Sequence, residues 1–159
     1  MIWRDDDVNV YADIDTLKRI QALFNKYDKV HTVAILMKDL WEGKGVWYWL
    51  MTTPNLDIAL HGSEHKDYSV MSYDEICYDL LRTFHYWKEH TVQGGYGLRS
   101  IRVFYPPWNK VSDNLRRACA EFNLKVNDSV DLAEVYNFHW WEMIDPDNLK
   151  KLEEELEKW

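Results

Sequence analysis

The chain has 159 residues, with 19 Lys and Arg against 27 Asp and Glu and a formal net charge of −8. That length fits one domain, spanning 1–159, and the acidic balance excludes the basic face that a nucleic-acid footprint needs. With 47% apolar, 29% charged and 15% aromatic residues, the chain reads as globular and not disordered.

In chain order, a short first strand runs into Arg4-Asp5-Asp6-Asp7. Ile14, Leu17, Ile20, Phe24 and Tyr27 then recur at three- and four-residue steps and predict an amphipathic helix. Residues 30–37 are rich in branched side chains and predict a strand. Residues 41–51 are ambiguous, with Gly43 and Gly45 favouring an irregular start. Leu56, Ile58 and Leu60 alternate with Asp57 and Ala59, a second strand pattern. Ser72 and Glu75 form a capping box for a helix carrying Ile76, Leu80, Phe84 and Trp87. Residues 93–97 hold Gly94, Gly95 and Gly97 but match no phosphate-binding fingerprint, so they read as a connection. Residues 101–105 alternate again, residues 111–122 read as a further helix, and Asp145-Pro146 opens a last helix with Leu149, Leu152, Leu156 and Trp159 on one stripe. Strands alternating with helices predict parallel β/α units. Cys77 and Cys119 make neither a metal spacing nor a disulfide framework and read as free thiols on helices. No window reaches ~18 apolar residues, so no membrane span is expected. Met1-Ile2-Trp3-Arg4 lacks the layout of a secretory signal, and a cytoplasmic location is expected.

Ligands of α/β folds gather at the carboxyl ends of strands. Four clusters fall there: Arg4-Asp5-Asp6-Asp7, His61-Gly62-Ser63-Glu64-His65, Tyr105-Pro106-Pro107-Trp108-Asn109 and, late in the chain, Phe138-His139-Trp140-Trp141. Three adjacent carboxylates packed at a strand end repel one another unless a cation sits among them. Imidazoles four apart can face one metal, although such a pair alone is often incidental. One Asp and two His together make a three-ligand site with room for water, and a second Asp beside it can take that water's proton.

The order Asp-Asp, His-x-x-x-His, Pro-Trp and a late His resembles the polysaccharide deacetylase family (NodB homology, carbohydrate esterase family 4) from Trp3 to about His139. The resemblance implies an α/β fold: a deformed (β/α) barrel, here small or incomplete because full barrels take ~200–250 residues. It implies a hydrolase removing N- or O-linked acetyl groups from a sugar or related amide with a divalent metal, zinc first and Ni, Co or Fe as substitutes. It makes Asp5 the base and Asp6, His61 and His65 the metal ligands. It makes the Trp108 amide an oxyanion donor and His139 the acid. The family's first motif, Thr-Phe-Asp-Asp-Gly, departs here because Asp7 replaces the glycine, so a register shifted by one would make Asp6 the base and Asp7 the ligand. Its second motif, His-Ser/Thr-x-x-His, has Gly62 in second place. The arginine that holds the base in the family is Tyr105 here, leaving Arg4 or Arg102 for that task, and the fourth motif is only echoed by Asp128 to Asp131.

Two other readings compete. His61-x-x-Glu64-His65 matches the inverzincin pattern with Glu64 as base, which requires both histidines on one helix. A non-catalytic carbohydrate-binding module on the same fold would use tryptophans to stack on sugar. Trp108 and Trp140 flank the expected site, whereas Trp87 and Trp159 fall on helix stripes and read as core. The expected partner is an acetylated carbohydrate or small amide, with no nucleic acid and no membrane. An open barrel would expose an edge that a homodimer could cover.

Overall fold

A computed structural model describes residues 1–96, 99–127 and 135–159. The strands are β1 (Ile2–Val8), β2 (His31–Leu36), β3 (Leu56–Gly62), β4 (Val103–Phe104), β5 (Lys125–Val126) and β6 (Val135–His139). They form one sheet, all parallel, in the order β5-β4-β3-β2-β1-β6. β5 and β6 are its two edges, so the sheet is an incomplete barrel. The helices are α1 (Ile14–Lys26), α2 (Lys44–Thr52), α3 (Tyr73–Gln93), α4 (Asp113–Glu121) and α5 (Pro146–Lys158). Among the described residues no helix is long and apolar enough to cross a membrane.

Local chemistry sets the helix starts. The Asp13 side chain accepts the Thr16 N–H, Ser72 and Glu75 close the capping box of α3, Ser112 accepts the Leu115 N–H, and Asp145 caps α5 ahead of Pro146. Residues 41–51 resolve into a short turn and α2, whose Trp47, Trp49 and Leu50 are buried. The 101–105 run pairs only at Val103–Phe104, and β5 and β6 lie outside the runs that alternation marks. Trp87 is core, but Trp159, at the end of α5, is 65% exposed, so the stripe of that helix buries only Leu152 and Leu156.

The pleat divides each strand between two environments. Val33, Ile35, Ile58, Leu60 and Phe104 pack under α1 to α4, and Trp3 and Phe138 pack with Ile20, Phe24, Leu152 and Leu156. Ala34, Ala59 and Tyr105 lie on the opposite, concave face. On β1, Trp3 and Asp5 therefore turn toward the helices, while Arg4 and Asp6 turn toward the concave face.

Asp5 is fully buried on that helix side. Its Oδ2 lies 3.4 Å from Nε2 of His31, also fully buried. Gln21 Nε2 donates to Asn25, so Gln21 turns its carbonyl oxygen to His31 and accepts from Nδ1–H at 3.0 Å. The Nε2 lone pair then faces Asp5. Burial, reinforced by Asp6, raises the Asp5 carboxyl well above its ordinary range, and burial lowers His31 to about 3. Both shifts favour the uncharged form of the folded pair, with its one proton on Asp5. Between about pH 4 and 6.5 the unfolded pair also holds one, on the histidine, so the pair gives almost no pH slope.

Asp5→Asn breaks this balance. The unfolded His31 then takes up a proton below 6.5 that the folded one refuses until about 3. Denaturant melts at pH 4.5, 5.5 and 6.5 are expected to show Asp5→Asn losing stability with falling pH more steeply than the parent, by up to ~1.4 kcal/mol per unit. Parallel pH profiles would refute the one-proton pair.

Candidate metal centre

β1 does not keep its alternation to the end. Its pairing with β2 slips between Asp5 and Val8, and Asp7 adopts a left-handed backbone with φ 60°. Asn9 Nδ2 and Trp140 Nε1 both donate to the Asp7 carbonyl, at 2.9 and 3.3 Å, and hold that bulge. The bulge brings Asp7 to the same site as Asp6.

Asp7 there meets the histidines of the β3 end. Its Oδ1 lies 3.3 Å from His61 Nε2 and 3.5 Å from His65 Nε2, and the three ligand atoms fall within 4.8 Å of one another. His61 Nδ1 lies 2.6 Å from the Tyr105 carbonyl, which can only accept, so Nδ1 carries the proton and Nε2 presents a lone pair. Asp7 Oδ1 is buried without a hydrogen-bond partner. A carboxylate oxygen and imidazole nitrogens converging in this way suit a divalent cation, and the His₂Asp set is a borderline donor set of the kind zinc accepts. Burial pushes the Asp7 carboxyl up, but whenever the surrounding histidines are protonated their hydrogen bonding and charge, His61 first, bring it below its ordinary range. Burial lowers His65, which favours the neutral form that a ligand needs.

Asp6 does not join this trio. Its Oδ2 accepts from Arg4 at 2.8 Å, and Arg4 also donates to Asn109 at 3.2 Å and covers the Tyr105 ring at 4.6 Å. Asp7, not Asp6, thus stands with His61 and His65, as in the register shifted by one, and Asp5 faces away from them. The cause is the bulge, which residue spacing does not reveal. Arg4, two residues before Asp6 on the same pleat face, is the arginine that pairs with it, over the ring of Tyr105. The other Asp6 oxygen is buried and unpartnered.

Parallel pairing sets His139 beside Asp6. His139 Nε2 lies 3.8 Å from Asp7 Oδ2. Glu142 Oε2 accepts the His139 backbone N–H at 2.8 Å and lies 3.1 Å from Nδ1, so Nε2 is the nitrogen turned to the site. Glu142 went unread in the sequence, although its three-residue spacing from His139 was a usable signal. One exposed indole lines the cavity of about 350 Å³, Trp108, 58% exposed and edge-on to His65 at 4.2 Å, while Trp141 stacks on the lining His139 at 4.4 Å. Trp108 has a left-handed backbone, φ 54°. Trp140, expected as a wall, is instead packed between the two core clusters. The Asp128 to Asp131 echo lies outside the described residues.

The inverzincin reading fails on geometry. His61 ends a strand, not a helix. Glu64 is drawn away by Lys38 at 2.6 Å and Lys66 at 2.9 Å, and these hydrogen bonds hold its carboxyl down at about 2, too acidic for a general base.

No family model matches the chain, and no curated protein does. Solved structures do. A peptidoglycan N-acetylglucosamine deacetylase superposes with TM-score 0.71 at 14% identity, over 99% of this chain and 81% of that one. Peptidoglycan deacetylase PdaC from Bacillus subtilis gives 0.67 at 15%, over 97% and 83%. A CE4 family pseudoenzyme from Bacillus anthracis gives 0.59 at 20%, over 78% and 42%, so the chain spans less than half of that protein's length. The fold is that of the CE4 polysaccharide deacetylases.

Isothermal titration with zinc is expected to give one equivalent. Asp7→Asn and His61→Ala should each weaken binding by at least ~100-fold, beyond the roughly 10–100-fold of an outer-shell loss, whereas Asp6→Asn should retain it. Loss in Asp6→Asn with retention in Asp7→Asn would restore the unshifted register.

Proposed function

We propose that the chain is a metal-dependent hydrolase that removes acetyl groups from an acetylated carbohydrate or related amide. The observation that carries this is the convergence of Asp7, His61 and His65 on one point, with an arginine-held Asp6 and a glutamate-held His139 on neighbouring strands. A divalent ion held by those three residues, zinc first and Ni, Co or Fe as substitutes, supplies a water of pKa ~7 and polarises the acetyl carbonyl.

The chain's own residues do the rest. Asp6 accepts the proton of the attacking water, and Arg4, donating to Oδ2, fixes the carboxylate for that task. His139, with Nδ1–H directed to Glu142, offers Nε2 for proton donation to the departing amine or alcohol. The Trp108 amide serves as a donor to the tetrahedral oxyanion, a contribution worth roughly 3–4 kcal/mol in other enzymes. Trp108 and Trp141 give apolar faces on which a pyranose ring can lie. Asp5 takes no chemical part. The pseudoenzyme among the structural neighbours supports a second reading, a sugar-binding module without turnover.

Acetate release from oligomers of N-acetylglucosamine separates these readings. Asp6→Asn should lower turnover by ~10²–10⁴-fold with zinc still bound, the range typical of a lost general base, while Asp5→Asn should keep turnover near that of the parent. A binding module would hold the oligomer and release no acetate with any of the four metals.

A further inference from the structure

The loop that carries both histidines is fastened from behind. Strand alternation turns His61 to the concave face and Gly62 to the helix side. There Gly62 has φ +121°, and a Cβ on it would sit 2.6 Å from the Tyr68 hydroxyl. That hydroxyl accepts the Ser63 N–H at 3.1 Å and donates to Asp79 Oδ2 at 2.7 Å. Ser63 Oγ donates to the other Asp79 oxygen. Asp79 lies on α3, only 7% exposed, with Lys66 Nζ 3.6 Å from Oδ1. Tyr68 is fully buried, edge-on to Phe104 at 5.1 Å. One buried carboxylate thus satisfies two hydroxyl donors, both tied to the residues between His61 and His65. Nothing in the proposed hydrolysis uses Asp79, and a buried carboxylate needs a reason to be retained.

We infer that Asp79 is a positioning residue for the two histidine ligands: through Ser63 and Tyr68 it sets the separation at which His61 and His65 meet a cation. The inference rests on the metal-dependent reading above. Without Asp79 the loop loses both acceptors, and the hydroxyls must either find water or pull the backbone out of place. His65 would feel this most. It is exposed, it follows the loop, and the described contacts give its ring no carbonyl anchor of the kind Tyr105 gives His61.

The test is a competition titration of zinc against a chromophoric chelator, with thermal melting of the metal-free protein and the visible spectrum of the cobalt form alongside. Asp79→Asn, which cannot accept from both hydroxyls, is expected to weaken zinc binding by roughly 10–100-fold, the usual effect of an outer-shell loss, and to alter the cobalt spectrum. Ser63→Ala and Tyr68→Phe should each weaken it less, and their combination should approach Asp79→Asn because both arms end on one carboxylate. Tyr68→Phe keeps the ring against Phe104 and removes only the hydroxyl, so it carries the test if Asp79→Asn does not fold. If the parent protein takes up no zinc, the metal-dependent reading falls and this inference with it. If the parent binds zinc and the variants bind within twofold of it, whatever their melting temperatures, Asp79 is a structural residue only and the inference alone is overturned.

Discussion

The left-handed backbone of Asp7 is the constraint on which the site depends. A regular strand sends consecutive side chains to opposite faces, so two adjacent aspartates cannot both serve one pocket. A non-glycine residue in this region costs of order 1–2 kcal/mol and persists only where its surroundings fix it. Here Asn9 and the Trp140 indole grip the Asp7 carbonyl from two sides. The sheet then places two further groups by pairing: His61 lies on β3, one residue before its end at Gly62, and β6 sets His139 beside Asp6. Asp6, Asp7, His61 and His139 stand at strand ends, where the sheet fixes their positions, while His65 and Trp108 come from the segments that follow.

Behind this face the same strand carries a different burden. Asp5 and His31 form a polar pair inside an aromatic cluster, with the imidazole stacked on Phe24 at 4.5 Å. Burial disfavours the charged form of each group, and Gln21 accepts from the imidazole Nδ1–H. The run of three aspartates is therefore three environments: a neutral acid in the core, a carboxylate paired to arginine, and a carboxylate facing imidazoles.

Much of this was legible in the sequence. Capping residues and apolar periodicity marked α1, α3 and α5, and the order of the clusters pointed to the fold. His61, His65 and His139 could be placed because each closes or follows a strand. The register of the aspartates could not, since three identical residues in a row carry no phase and the bulge that sets it is held by Asn9 and by Trp140, far away in the chain. Arg4 was one of two candidates until the pleat put it on the face of Asp6. β6 escaped notice because Val135, Tyr136, Asn137 and Phe138 show no clean alternation of apolar and polar residues. Indole roles were the least readable: Trp140 and Trp141 are neighbours, yet one is an internal strut and the other an open face, a division fixed by a single turn.

Gly62 has a further consequence. Its missing side chain is the space that the Tyr68 hydroxyl fills, so a serine or threonine at position 62 and a tyrosine at position 68 exclude each other on steric grounds. Changing position 68 alone would not admit a side chain at 62, because the Glu64 carbonyl oxygen lies 2.8 Å from the same Cβ position and the backbone there has φ +121°. Position 62 is therefore coupled to the backbone of its own loop as well as to the ring at position 68.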